Sequence, residues 1–239
     1  MYATACNVEA CRNCRLQSGK FMKETIFITG IAGFIGSHIA SEALKQGYNV
    51  KGTDVKDCGI EGIEFTKADI RDKDSIGKAM EGSDYAVHLA AITSNVEFEK
   101  NMYECYDINV RGFNTIIDAA AKKGIEMLYA SSSAVYIDSF SEDATIDIKK
   151  QRNHYAKTKL MNEMVAQSYI DRYGMKAIGM RFFNVYGAGE NQKGNYASII
   201  SQFIDAKKAG KPLIIYGDGK QARDFIHVDD VARMALELM

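Results

Sequence analysis

The stretch "TIFITGIAGFIGSHIASEALKQG" (25–47) limits what this chain can fold into more than any other. It opens on a short, β-branched apolar run ended by glycine, the pattern of a strand buried on both faces. It closes on apolar residues at helical spacing followed by glycine, the pattern of a helix with its C-cap. Between them Gly30, Gly33 and Gly36 form G-x-x-G-x-x-G. The first glycine permits a tight turn, the second lets backbone N–H groups approach a pyrophosphate, and the third lets helix pack closely on strand. The helix N-terminus then presents its partial positive charge to the phosphates. Glycines also mark plain turns, so the strand before and the helix after carry the reading. The segment is a dinucleotide cradle lined by Gly30, Gly33, Phe34, Ile35 and Gly36.

Asp54 gives a second sign, at the end of the next strand in "YNVKGTDV". A carboxylate there accepts hydrogen bonds from the adenosine ribose hydroxyls and repels a 2′-phosphate, which points to NAD over NADP.

Downstream, "IEFTKADI", "DYAVHLAA", "EMLYASSS" and "KAIGMRFFNV" read as strands. Helices are expected at "SIGKAMEG", around 103–123 and over 155–173, ending at Gly174. Strands alternating with helices predict an α/β fold, a Rossmann-type doubly wound parallel sheet covered on both faces. The NAD-binding domain is expected over 22–183. The alternation breaks down after about residue 185, so 184–239 reads as a smaller, truncated substrate-binding region over the carboxyl ends of the strands, with 224–239 able to return to the first domain. Residues 1–21 read as a leader outside the fold, because a clean start at Met22 runs directly into the first strand.

Composition narrows the function. A net charge of −1 leaves no electrostatic footprint for nucleic acid. No apolar run reaches the roughly 18 to 20 residues that span a bilayer, and residues 1–22 lack the apolar core of a secretory signal. The expected location is cytoplasmic. Cys6, Cys11 and Cys14 form C-x4-C-x2-C, but a fourth ligand would have to come from distant Cys58 or Cys105, so no metal is expected.

"HYAKTK" (154–159) places Tyr155 and Lys159 four apart, on one face of a helix. With 13 tyrosines in the chain, about one such spacing is expected by chance. Its setting gives it a mechanism. "ASSSAVY" (130–136) ends the fifth strand, where hydroxyls point into the ligand crevice of an open sheet. A tyrosine titrates near pH 10, and lowering that by about three units takes roughly 4 kcal/mol. A lysine cation one turn away and a charged nicotinamide are expected to supply much of it.

From about Lys23 to its end the chain resembles the extended short-chain dehydrogenase/reductases, in the nucleotide-sugar epimerase/dehydratase group. The resemblance rests on "TGIAGFIG", "ADI", "HLAA", "INVRG", "SSSAVY", "YAKTK", "RFFNVYG" and "YGDGKQARDFIHVDDVA". It implies that Asp69 and Ile70 border the adenine, that Leu89, Ala90 and Ala91 line the cofactor, and that Asn109 buttresses the site. It selects Ser132 as the catalytic hydroxyl, Tyr155 as acid/base and Lys159 as the holder of the nicotinamide ribose. Asn184 and Arg223 are implied to contact a nucleotide diphosphate, Arg223 by the fork that suits phosphate. A homodimer through helices 103–123 and 155–173 is also implied.

The resemblance further implies transient oxidation of a sugar by NAD. Related 4,6-dehydratases carry an Asp-Glu pair after the catalytic hydroxyl, related decarboxylases favour a glutamate at the second of those positions, and 3,5-epimerases use a cysteine there. Ser133 and Ala134 occupy the two positions in this chain, which leaves simple redox epimerisation. The expected enzyme is similar to a UDP-glucose/UDP-galactose-type 4-epimerase. A rival is an ADP-heptose 6-epimerase-like enzyme in which Lys193, nine residues after Asn184, is a second acid/base and substrate contact. A non-catalytic NAD-binding protein is the alternative of another class, because relatives continue beyond the helix that follows "HVDDVA". Departures from the family pattern include Ile137 for a glycine, Ala188 for a proline, and no proline between the serine and tyrosine motifs.

Overall fold

The computed structural model describes residues 23–136, 146–190, 198–215 and 217–239. Strand β1 (Thr25–Thr29) is buried at all five positions. It runs through the turn at Gly30 into α1 (Phe34–Lys45) and then β2 (Asn49–Asp54), β3 (Glu64–Lys67), α2 (Lys73–Ala79) and β4 (Tyr85–His88). Helices α3 (Asn95–Lys100), α4 (Met102–Tyr106) and α5 (Gly112–Lys123) lead to β5 (Glu126–Ser132). Helix α6 (His154–Tyr173) and β6 (Ala177–Phe182) complete a six-stranded sheet.

Its order is β3-β2-β1-β4-β5-β6, and every pairing is parallel. The chain builds outward from β1 to β3, then crosses back to lay β4 on the other side of β1. The carboxyl ends of β1 and β4 therefore flank the point where the winding reverses, where ligands bind in open α/β sheets.

Alternation along β1 divides the core between the two faces of the sheet. Phe27 joins Ile76, Met80, Phe113, Ile116 and Ile117 on one side, and Ile26 and Ile28 join Ile31, Ile39 and Val50 on the other. The end of the chain returns to that second side. Helix α8 (Val228–Glu237) packs Ala232, Ala235 and Leu236 into the same cluster, and His38 of α1 bridges Asp229 (2.8 Å) and the Ala188 carbonyl (2.9 Å). Strands β7 (Asn184–Tyr186) and β8 (Phe225–His227) pair parallel as a separate ribbon. Helix α7 (Ile199–Lys208) buries none of its residues.

The continuous helix expected around 103–123 is interrupted. Helix α4 ends at Tyr106, a π-helical turn covers Asp107–Arg111, and α5 begins at Gly112. Two tertiary contacts account for the break. Asn109, in the π turn, faces inward to bond the loop after β4. Gly112 abuts Ile70, whose Cδ1 would lie 2.4 Å from a Cβ at that position. Single π turns of this kind recur at functional sites.

Candidate active site at the switch point

The glycine turn is shaped by contacts that exclude side chains. Gly30 has φ +72°, and a Cβ there would lie 2.8 Å from the Ala90 nitrogen. A Cβ on Gly36 would lie 2.3 Å from the Gly30 carbonyl oxygen. Gly33 is the N-cap of α1 and brings no side chain to its first-turn amides, which are left to face a ligand. Phe34 is buried against Val185, Val228 and Val231, so what it and Ile35 offer the turn is their backbone. Asp54 reaches the same turn. Its Oδ2 accepts from the Ala32 N–H (3.1 Å) and its Oδ1 from Lys56 N–H (3.0 Å), so this carboxylate braces the cradle as well as lining it.

The loop after β4 closes the other wall. Thr29 Oγ1 lies 3.3 Å from the N–H groups of both Leu89 and Ala90 and 2.8 Å from His88 Nδ1. Ala91 is half-buried beside them. Asn109, 1% exposed, binds both the N–H and the carbonyl of Ile92 at 2.8 Å and donates to Thr158 Oγ1 at 3.2 Å. Thr158 in turn donates to the Tyr155 carbonyl (2.7 Å). One buried amide thus ties the loop to the helix that carries Tyr155 and Lys159.

Ser132, Tyr155 and Lys159 come together at the end of β5. Ser132 stands in extended backbone at the strand end, and its Oγ accepts from Ala134 N–H at 3.1 Å. The Ser132 hydroxyl is near enough to Tyr155 to favour the charged form of its phenol. The Lys159 ammonium lies over the Tyr155 ring, 5.5 Å from its centre, and Lys159 is 1% exposed. Among the described residues its ammonium has no hydrogen-bond or ion-pair partner. Burial pushes Lys159 down to about 8. Burial also pushes Tyr155 up to about 12, opposed by the nearby Ser132 hydroxyl. The lysine was expected to lower the tyrosine's pKa; in the protein alone, burial dominates and shifts each group toward its neutral form.

The remaining expected residues divide. Asp69 is engaged by Arg71, through Nε at 2.9 Å and a terminal nitrogen at 2.6 Å, which holds its carboxyl below the usual range. Ile70 is 5% exposed with its side chain in the core, leaving its backbone for the crevice. Asn184 is exposed on β7 and donates to the Asp224 carbonyl (2.8 Å). Arg223 is exposed, its guanidinium bonded to the neighbouring Ala222 carbonyl (2.7 Å). Lys193, Ile137 and the Cys6, Cys11 and Cys14 cluster lie outside the described residues. Among the described residues no group of acidic, histidine and cysteine side chains is placed to hold a metal, and no helix is long and apolar enough to cross a membrane.

Two features escaped the sequence. Arg181 forks onto Glu163 (2.9 and 2.8 Å) and donates to the Tyr136 hydroxyl (3.1 Å), joining β6, α6 and the "VY" turn. Gln151 spans from that turn to the start of α6. No local spacing announces either.

These residues fit a nicotinamide dinucleotide. A Cβ at Gly30 or Gly36 would meet backbone at under 3 Å, a carboxylate stands at the end of β2, and Lys159 is buried beside the tyrosine. The comparisons agree. Residues 26–239 match the family model described as the NAD dependent epimerase/dehydratase family. The chain is 35% identical over 235 residues to the UDP-N-acetyl-alpha-D-glucosaminuronate decarboxylase of Bacillus cytotoxicus, covering 91% of itself and 72% of that protein. The UDP-glucose 4-epimerase of Thermotoga maritima with UDP-glucose superposes with a TM-score of 0.80 at 26% identity, over 90% of this chain and 73% of that one. The UDP-glucose 4-epimerase of Thermus thermophilus in complex with NAD gives 0.77 at 27% identity, over 90% and 74%. By its sequence, its sheet order and its crevice, the chain belongs to the NAD dependent epimerase/dehydratase family.

Proposed function

We propose that the protein epimerises a nucleotide-diphosphate sugar by transient oxidation, as a UDP-glucose/UDP-galactose-type 4-epimerase. The observation that carries this is the convergence of Ser132, Tyr155 and Lys159 at the switch point, with the lysine 1% exposed and its ammonium over the Tyr155 ring. Bound NAD supplies the hydride acceptor, the later hydride donor, and a positive charge beside the pair. Tyr155 accepts the proton of the sugar hydroxyl as its carbon is oxidised, then returns it when the ketone is reduced on its other face. Ser132 holds that hydroxyl, and Lys159 holds the nicotinamide ribose. Gly30, Gly33, Gly36 and the first amides of α1 hold the pyrophosphate, and Asp54 the adenosine ribose.

Ser133 and Ala134 argue against dehydration and decarboxylation, because neither carries an acid or base. That weighs against extending the activity of the 35%-identical decarboxylase to this chain. Arg223 and Asn184 are assigned to the nucleotide diphosphate. The test is to identify any co-purifying dinucleotide by mass spectrometry and then offer a panel of nucleotide sugars; a preparation that neither carries nor binds NAD would sink the proposal. Lys193→Ala discriminates the 6-epimerase rival, which requires that variant to lose turnover while keeping NAD; near-normal activity removes the rival.

We also propose a homodimer through the outer faces of α4, α5 and α6. Met102 and Tyr103 of α4 and Met164 and Tyr173 of α6 leave apolar surface exposed (50, 80, 60 and 63%). Light scattering on the eluting protein decides between one and two copies.

A further inference from the structure

Gln151 lies four residues before Tyr155, is 8% exposed, and is bonded at both ends of its amide. Its Nε2 donates to the Ala134 carbonyl at 2.9 Å, and its Oε1 accepts from Asn153 N–H at 3.0 Å. Only this orientation matches donors to acceptors. Each partner leads directly to a reacting group. The Ala134 N–H donates to Ser132 Oγ (3.1 Å), and Asn153 Oδ1 caps α6 by accepting from Ala156 N–H (3.1 Å), one residue past Tyr155. A single buried side chain therefore spans from the turn that carries Ser132 to the cap of the helix that carries Tyr155. Proline, which stiffens a connection by fixing φ, is absent from this stretch, since the chain's one proline is Pro212.

We propose that Gln151 is a positioning residue that sets the separation of the Ser132 and Tyr155 hydroxyls. It touches neither hydroxyl; it acts through the Ala134 turn and the Asn153 cap. The catalytic consequence rests on the function proposed above, because a misplacement of about 1 Å costs on the order of a hundredfold in rate.

The test is a double-mutant cycle. Gln151→Met keeps the length and removes both bonds; Gln151→Glu keeps the acceptor for Asn153 and removes the donor to Ala134. Each is made alone and with Ser132→Ala, and folding is checked by melting temperature and NAD affinity. With a nucleotide sugar that the wild type turns over, either Gln151 variant lowers kcat by about tenfold to a hundredfold and leaves KM within about threefold. In the Ser132→Ala background the further loss falls below about threefold, because the serine through which Gln151 acts is already gone. Equal losses in both backgrounds, or no loss, overturn the proposal. A second readout needs no turnover. The 13Cζ resonance of Tyr155, assigned through Tyr155→Phe, moves in Gln151→Met to the position it takes in Ser132→Ala. An unmoved resonance overturns the positioning role. A moved resonance in a protein that turns over no sugar overturns the proposed function and leaves the positioning role standing.

Discussion

The Lys159 ammonium sits 5.5 Å from the centre of the Tyr155 ring, with 1% of the lysine exposed. The two residues are one turn apart on α6, and burial sets their acidities in opposite directions, the tyrosine up to about 12 and the lysine down to about 8. At neutral pH the tyrosine is a neutral phenol, while the lysine is still largely an ammonium held at the cost of its burial.

Replacing Lys159 by methionine therefore stabilises the cofactor-free protein while removing its activity. The lysine's folded value lies below its ordinary 10.5, so below pH 8 the fold carries a buried ammonium. That costs on the order of 3 kcal/mol at 1.36 kcal/mol per unit. The cost shrinks as pH rises from 8 and vanishes near 10.5. Denaturant unfolding at pH 7 and pH 10 should show Lys159→Met ahead at the lower pH and the gap closing at the higher. A methionine variant less stable at pH 7 would contradict this reading.

His88 governs the acid side. Burial first, and the Lys159 charge second, push its imidazole down to about 3. Between pH 6.5 and 3 the unfolded chain binds a proton that the fold refuses, so stability falls as pH falls through that window. His88→Gln should flatten the decline by about 2 to 3 kcal/mol between pH 6.5 and 4.5. Parallel unfolding curves for the two proteins across those pH values would be the opposing result.

Gly36→Ala tests the cradle. Its Cβ would meet the Gly30 oxygen at 2.3 Å and the Ile31 Cα at 2.9 Å, both backbone atoms that cannot swing aside. Helix α1 must lift from β1, at about 1 to 3 kcal/mol of stability and at least about tenfold in NAD affinity. Gly77→Ala is the control, because nothing lies within 4 Å of a Cβ there and the site is within α2. It should raise stability by a few tenths to about 1 kcal/mol and leave NAD affinity unchanged. Titration of both variants with NAD makes the comparison.

Arg223→Ala isolates substrate binding. The side chain is exposed and, among the described residues, its guanidinium bonds only the adjacent Ala222 carbonyl, so the described fold does not depend on it. Losing a charge-assisted contact to a diphosphate should raise KM by about tenfold or more. Melting temperature and NAD affinity should stay as in the wild type. An unchanged KM would remove Arg223 from the substrate site.

Much of this was legible in the sequence because it is written locally. The glycine trio lies between a strand and a helix, Asp54 ends the next strand, and Tyr155 and Lys159 share one helix face, so their neighbours in sequence place them. What was not legible depends on contacts between distant segments. The period of residues 103–123 runs on unbroken, and the π turn arises only because Asn109 faces the loop at Ile92. Gln151 reads as an ordinary loop residue until the fold sets it beside Ala134. Ile70 sits in a motif associated with the cofactor, yet its side chain packs in the core against Gly112. The direction of the Tyr155 shift was also hidden, since spacing gives the neighbour's charge but not the depth of burial that sets the shift.

The central claim is that Tyr155 and bound NAD carry a reversible oxidation of the sugar. It is tested most directly by incubating the purified protein with UDP-galactose in D2O and following the sugar protons by NMR. The account predicts UDP-glucose with its C4 hydrogen retained, and none from Tyr155→Phe although that variant still binds NAD. Deuterium at C4, or undiminished conversion by Tyr155→Phe, would contradict it.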